Sequence, residues 1–360
     1  CPTNALSEKN DINRVLRMLN DKTKEVVVQV APSVRVALAE EFGFPIGTFT
    51  EGKMVTALRR LGFDHIFDVN TGADFTIVEE SKELINRLTK GTGPLPMFTS
   101  CCPGWYKYME MFEPEFRHNI STCKSPNEML GALVKYYFQQ QNKEVRIVSI
   151  MPCTAKKHEV VKYGDIDAIL TTRELAQLIK YKNIDYKSLP DGKLDQPFGL
   201  YSGAGLIFGA TGGVMEAALR TASQHLNKTQ KPVDIEIVRD SIGRKEVEIK
   251  TDTKTLKVAI INGLNNARLF LKDLKEGKTQ VDFVEIMACP GGCVNGGGQP
   301  LIDYSKIQLS EVIKKRAKPL YLNDKKSQVR ASHENEQVKK VYKELLGEND
   351  ELIHRLLHNK

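Results

Sequence analysis

No stretch of the 360 residues approaches the run of about 18 apolar residues that a membrane-spanning helix needs, so no membrane partner is expected. The opening CPTNALSEKNDINRVLRMLN is polar and has no apolar core of the signal-peptide kind. Internal repeats, low-complexity segments and blocks of one charge are also missing. Lys and Arg (52) exceed Asp and Glu (45) by a net +7 that is scattered along the chain. That pattern argues against nucleic acid as a partner, although a local basic face suits an acidic protein. Cysteine is scarce. The seven, at positions 1, 101, 102, 123, 153, 289 and 293, are too sparse for a disulfide-built scaffold and odd in number. An intracellular chain with thiols that are reduced or hold metal is the expectation.

What is present is an alternation of short apolar strands and amphipathic helices in an ordinary globular composition, 41% hydrophobic and 27% charged, which argues for the α/β class. Strands are expected over 25–31, 65–69, 145–151, 256–261 and 282–288, and helices over 51–61, 74–89, 126–140, 172–182, 213–226 and 264–275. The strands are almost continuously apolar, as parallel strands covered on both faces are. Unusual loops follow four apolar runs: APS (31–33), the Cys101–Cys102 pair after LPMF (95–98), Cys153 after Met151, and Cys289 after Met287. Ligands of open parallel sheets sit beyond the carboxyl ends of the strands, so these loops are expected to converge on one site. The charged tail over 314–360 carries Pro319 and Gly347 as breaks, with helical segments near 336–346 and 350–358, and reads as a small helical appendage.

Cys289 to Pro300 reads CPGGCVNGGGQP, two cysteines four apart among five glycines. With Cys102 and Cys153 these make four candidate ligands for one metal site. A structural zinc usually draws on two close pairs, and here only Cys289 and Cys293 are close. An iron–sulfur cube accepts scattered ligands because its corners point well apart. Gly291, Gly292, Gly296, Gly297 and Gly298 lack the Cβ atoms that would keep backbone N–H groups away from a bulky anion, and they permit positive φ. An iron–sulfur or mixed cluster is favoured, with zinc and an incidental grouping as alternatives.

Three segments, TSCCPGW (99–105), MPCTAKKHE (151–159) and EIMACPGGCVNGGGQP (285–300), resemble the three signatures of the [FeFe]-hydrogenase catalytic domain and occur in that family's order. The likeness runs from VQVAPSVRVALAEEFG (28–43) to residues 332–358, which resemble the family's small-subunit segment. It implies two lobes of mainly parallel sheet flanked by helices, a metal cluster in the cleft between them, and a short helical C-terminal segment. It implies that Cys102, Cys153, Cys289 and Cys293 ligate a [4Fe–4S] cube. Cys293 would also bridge to a two-iron subsite with CO, CN⁻ and an azadithiolate-type bridge, the whole forming the H-cluster. Pro32, Ser33, Met151, Phe208 and Met287 correspond to residues around the diiron unit. Lys156, otherwise a plain surface lysine like Lys157, would give a charge-assisted hydrogen bond to a bound cyanide. The family often has glutamine or histidine after KSP where this sequence has Asn127, a departure that bears on one polar contact to the diiron ligands and not on the chemistry.

In the family the first cysteine of TSCCPGW stays unligated and exchanges protons with the bridge amine, which implies that role for Cys101. By residue type alone it reads as a buried thiol, and a thiol of pKa about 8.5 suits a relay. Glu80, Glu83 and Arg87 fall at i, i+3 and i+7 on one helix face, by default a solvated face with a Glu83–Arg87 ion pair. The resemblance of GADFTIVEESKELINR (72–87) to the family implies a proton path through Cys101, Glu80, Ser121 and Glu83, with Arg87 positioning the outer carboxylate.

Other features carry less. SGAGLIFGATGGVMEAALR (202–220) opens a helix but lacks GxGxxG spacing, so no phosphate cradle is expected there. The histidines form no H-x-x-x-H pair except His354–His358 in the tail, which reads as capping or packing, and Cys123 reads as a core thiol. Cys1 resembles the last cysteine of a ferredoxin motif. The expected organisation is a remnant or linker to a ferredoxin-like module (1–24), the catalytic domain (25–304) and the small-subunit-like segment (305–360). The expected function is reversible reduction of protons to H2 with electrons from ferredoxin or an upstream Fe–S domain. Maturation proteins would install the cofactor, in the cytoplasm of an anaerobe or in an anaerobic organelle. The alternatives are an H2 sensor, which tends to alter the relay residues, and an iron–sulfur assembly or scaffold protein without a diiron unit, which lacks the full TSCCPGW pattern.

Overall fold

Eight strands among the described residues build two four-stranded sheets: β1 (Glu25–Val30), β2 (His65–Asp68), β3 (Met97–Phe98), β4 (Val145–Met151), β5 (Ala168–Thr171), β6 (Arg244–Lys250), β7 (Thr255–Asn262) and β8 (Phe283–Met287). The computed structural model describes residues 8–226, 235–239, 242–347 and 349–359, so Cys1 lies outside it. One sheet has the order β2-β1-β4-β5 and is wholly parallel. The other has the order β3-β8-β7-β6, parallel except for the antiparallel edge pair β6–β7. Each expected strand is present. The central ones are buried on both faces, in keeping with their unbroken apolar runs. β6, the short β5 and the two-residue β3 were not among the expected strands. β6, RKEVEIK, is mostly exposed at the sheet edge, so its charges read as loop, and charged edges of this kind resist pairing with other chains.

The two sheets carry separate apolar cores, joined by the Val69–Lys90 helix. Phe75 enters the core of the first sheet, while Ala73, Ile77 and Leu84 enter that of the second. A helix buried between two cores carries any polar residue on it into the protein interior. Asp68 caps it by accepting the Asn70 N–H, and Gly91 at φ 65° ends it. The pattern is therefore two lobes with a shared helix between them, and no helix of the described residues is long and apolar enough to cross a membrane.

In the tail, the expected break at Pro319 is corrected: the Leu309–Lys326 helix runs through it. Proline removes the N–H that would serve the Lys315 carbonyl, and Gly47 (φ +83°) packs so closely there that a Cβ would lie 2.0 Å from that oxygen. Ion pairs on either side hold the helix in place. Arg316 pairs with Glu40, and buried Asp324 pairs with Arg220 and Arg330.

Candidate metal centre

The loops that follow β1, β3, β4 and β8 meet at one cavity of about 210 Å³ between the lobes. Two of these strands belong to each sheet, so the site collects carboxyl ends from both. The wall includes Cys102, Cys153, Cys289 and Cys293, with Cys101, Pro32, Ser33, Asn127, Met151, Lys156, Phe208 and Met287. Every residue assigned to the cluster or its surroundings by sequence thus faces the same space. Glu80, Ser121, Glu83 and Arg87 lie behind this wall, on and beside the Val69–Lys90 helix.

Loop-to-loop contact explains most of the glycines. A Cβ on Gly296 would lie 2.2 Å from the Pro152 carbonyl oxygen, and one on Gly298 would lie 2.9 Å from the Cys153 nitrogen. Gly298 N–H also donates to Pro152 O at 2.8 Å. The glycine run therefore lets the Cys293 loop lie flush on the Cys153 loop. Gly292, at φ +87°, passes the Thr211 nitrogen at a distance that a Cβ would reduce to 2.6 Å. Room for a cluster, the reason expected from sequence, applies at Gly297, where the nearest atom to a Cβ is 3.5 Å away in the Thr154 side chain.

The residues present fit an iron–sulfur group. All four cysteines are free thiols. Burial, then the charge of Cys153 and Cys102, pushes Cys289 up to about 12. Burial followed by Cys102, Cys153 and Cys289 raises Cys293 well above the usual thiol range. Thiolates crowded in this way need a cationic centre to be stable together. Backbone donors already face the sulfurs: Ala288 N–H lies 3.4 Å from Cys102 Sγ, and Gly297 and Ala155 serve Cys289 and Cys153. No three His, Cys, Asp or Glu among the described residues are spaced for one metal ion, whereas a cube takes a separate iron at each thiolate. The Ser33 hydroxyl is buried on the cavity wall with no protein partner, a donor left for an occupant.

The polar wall is more elaborate than the sequence suggests. Lys156 Nζ donates to Glu159 (2.9 and 2.6 Å), Ser125 Oγ (2.8 Å) and Cys101 O (3.3 Å). Asn127 Oδ1 accepts from Gln29 at 2.9 Å, so its amide is fixed by protein partners. Glu128 beside it is pushed up to about 8 by burial and then by Glu159, with Lys156 opposing.

Along the Val69–Lys90 helix, Glu80 is 1% exposed, and its carboxylate oxygens lie near the Ser121 hydroxyl and the Ser100 backbone without a bond of ordinary hydrogen-bond geometry. Burial, then the Glu83 charge, raises it to about 8. Cys101 is raised by burial and next by Glu80, which places the two groups in each other's field. Ser121 Oγ donates to Glu83 Oε2 at 3.0 Å. Arg87 holds Glu83 Oε1 at 2.5 Å and also donates to the carbonyls of Pro94, His118, Asn119 and Ile120. The default reading of this face as solvated is overturned, because Glu80 and Arg87 are buried.

Sequence reasoning did not find Glu159, Glu128, Thr122 or the placement of His358 on the carboxylate face. An i, i+3 Lys–Glu spacing signals Glu159, while nothing local signals a contact between residues 236 apart, Thr122 and His358.

Residues 24–297 match the family described as iron only hydrogenase large subunit, C-terminal domain, and residues 310–360 match iron hydrogenase small subunit. The chain is 45% identical to iron hydrogenase 1 of Clostridium pasteurianum over 100% of its own length and 65% of that protein's. It is 44% identical to the NADP-reducing hydrogenase subunit HndD of Solidesulfovibrio fructosivorans, over 99% of itself and 63% of that subunit. It therefore spans just under two thirds of these relatives. A solved structure of a variant of [FeFe]-hydrogenase HydA1 from Chlamydomonas reinhardtii superposes with a TM-score of 0.83 at 37% identity, covering 98% of each chain.

Proposed function

The chain belongs to the iron-only hydrogenases, and from that premise we propose that it catalyses the reversible reduction of protons to H2. Its electrons would come from ferredoxin or another Fe–S carrier, in an anaerobic cytoplasm or organelle, after maturation proteins load the cofactor. Residues 25–304 would form the catalytic domain and 305–360 the small-subunit-like segment. The observation that carries the reading is the single cavity lined by Cys102, Cys153, Cys289 and Cys293 together with Cys101.

In this reading Cys102, Cys153, Cys289 and Cys293 would hold a [4Fe–4S] cube, and Cys293 would also hold a diiron unit carrying CO, CN⁻ and an azadithiolate-type bridge. When bound, that group would relay the carrier's electrons and supply the iron at which H2 is made or split. The protein's part is enclosure and proton delivery. Pro32, Met151, Phe208 and Met287 give the cavity apolar walls, and the Ser33 hydroxyl is the polar group left to orient what lies within, while Asn127 and Lys156 line the cavity tied to Gln29 and to Glu159 and Ser125. A largely apolar wall limits the water within and strengthens its few polar contacts. Cys101 holds a proton at the wall. Glu80, neutral at pH 7 because it is buried, exchanges with it and passes protons by way of Ser121 to Glu83. Arg87 fixes the outer carboxylate.

Anaerobic reconstitution with iron and sulfide, then loading with a diiron precursor, tests this reading. H2 evolution with reduced methyl viologen is the expected result. A cube visible by EPR with no H2 made or consumed favours the assembly or scaffold alternative.

A further inference from the structure

The tail helix Asp350–Leu357 delivers His358 to the outer end of the carboxylate face. Its Nδ1 lies 2.9 Å from Thr122 Oγ1, and its Nε2 lies 3.3 Å from Glu79 Oε2. Thr122 donates to Glu83 Oε2 twice, from the hydroxyl at 3.0 Å and from the backbone N–H at 2.9 Å. The same oxygen accepts from Ser121. These contacts fix the donor and acceptor roles. A carboxylate only accepts, so Thr122 commits its one hydroxyl proton to Glu83 and His358 Nδ1 must donate to Thr122. Nε2 faces a second carboxylate and must donate as well. A ring that donates from both nitrogens satisfies both neighbours, and it stands one hydroxyl away from Glu83.

We infer that His358 is the outermost fixed member of the proton path, exchanging protons with solvent and passing them through the Thr122 hydroxyl to Glu83 and back. This rests on the hydrogenase reading and extends it: the small-subunit-like tail would complete the path rather than merely brace the fold. In the inward step the Nδ1 proton moves to the Thr122 oxygen as the Thr122 hydroxyl proton moves to Glu83 Oε2. An imidazolium and a carboxylate become an imidazole and a carboxylic acid, and no charge is created in the interior. Thr122 is exposed, so water reaches the junction to recharge the ring. Histidine suits the place because it gains and loses a proton near neutral pH.

Charged and titratable groups surround the ring from each packed element. Glu79, held by Lys82 at 2.8 Å and by Tyr342 at 2.5 Å, faces Nε2. Glu83 with Arg87 lies behind Thr122. Cys123 bridges the His358 backbone, with Lys124 and its partner Asp165 next to it. His354 stacks on His358 with ring centres 5.0 Å apart, one turn back on the exposed side. Burial would raise Glu79, but hydrogen bonds from His358, Lys82 and Tyr342 bring it down to about 2, so it stays an anion beside the ring.

The test uses the full chain in two forms. In cofactor-free protein, the His358 ring signals in NMR at neutral pH are expected to move in Glu83→Gln, because the Thr122 hydroxyl between the two loses its carboxylate acceptor. In the loaded enzyme, Thr122→Val and His358→Gln are each expected to slow turnover roughly tenfold with an altered pH profile, and added imidazole is expected to restore His358→Ala. Thr122→Val keeps the side chain's shape and the backbone bonds to Glu83 and Asn359, so a loss of turnover with wild-type unfolding curves is not a folding effect. Ring signals unmoved by Glu83→Gln, or variants with wild-type pH profiles and no imidazole rescue, would overturn the inference. If wild type makes no H2 at all, the hydrogenase reading fails instead, and the ring signals alone decide this one.

Discussion

Lys156 donates to both oxygens of Glu159, at 2.9 and 2.6 Å, in a pair that is 10% and 9% exposed on the wall of the cysteine cavity. Removing one partner of such a pair leaves a buried charge without a counter-ion. Lys156→Met is expected to destabilise the cofactor-free protein by about 3 kcal/mol or more in denaturant unfolding. The double variant Lys156→Met/Glu159→Gln, which buries no charge, should recover most of that loss. Equal stability of the single and double variants would show that the pair is solvated.

Glu80 gives a pH signature. Its folded pKa of about 8 lies above the ordinary 4.5, so between those values the folded state binds more protons than the unfolded state. The resulting stability is complete below about pH 4.5 and is lost as pH rises through 8. Glu80→Gln should therefore be more stable than wild type at pH 8 by up to a few kcal/mol, with the gap closing toward pH 5. Unfolding curves at several pH values read this directly, and a gap that stays constant with pH would contradict it.

Cys101→Ser and Glu83→Gln interrupt the proposed proton path without touching a proposed iron ligand. Each should cut turnover by about a hundredfold or more while iron content stays at the wild-type level. Normal turnover in either variant removes that residue from the path.

Gly296 and Gly297 are neighbours with opposite expectations. A Cβ at Gly296 meets the Pro152 carbonyl at 2.2 Å, whereas one at Gly297 meets only the Thr154 hydroxyl at 3.5 Å. Gly296→Ala should cost about 2 kcal/mol or more by prising the Cys293 loop from the Cys153 loop, and reconstituted iron per chain should fall with it. Gly297→Ala should fold as wild type, and any effect it has should appear only in cofactor loading. Similar behaviour of the two would refute the loop-contact account.

Much of this fold is legible in the sequence, because buried parallel strands are written as apolar runs and the helices between them keep a clear period. The cysteine-bearing loops are legible for the same reason, since each follows such a run. What escapes is polar or long-range. β6 is charged at the sheet edge and reads as loop, and Pro319 reads as a break because the close approach of Gly47 and the flanking ion pairs come from distant segments. Glu285 sits in an apolar strand and accepts the Gly212 and Met215 N–H groups at 2.7 Å, capping the Gly213–Leu226 helix from across the lobe. A lone glutamate in a buried strand demands partners, but only the folded chain says which. Glu83, Thr122 and His358 likewise meet only once the tail has folded back.

The central claim is that the cavity between the lobes holds a diiron unit beside a cube. An infrared spectrum of protein matured anaerobically with a diiron precursor tests it most directly. Sharp metal-bound CO and CN⁻ stretches that shift under H2 are the expected result. Their absence in a sample whose cube is visible by EPR would contradict the claim and leave a cube-holding protein without hydrogenase chemistry.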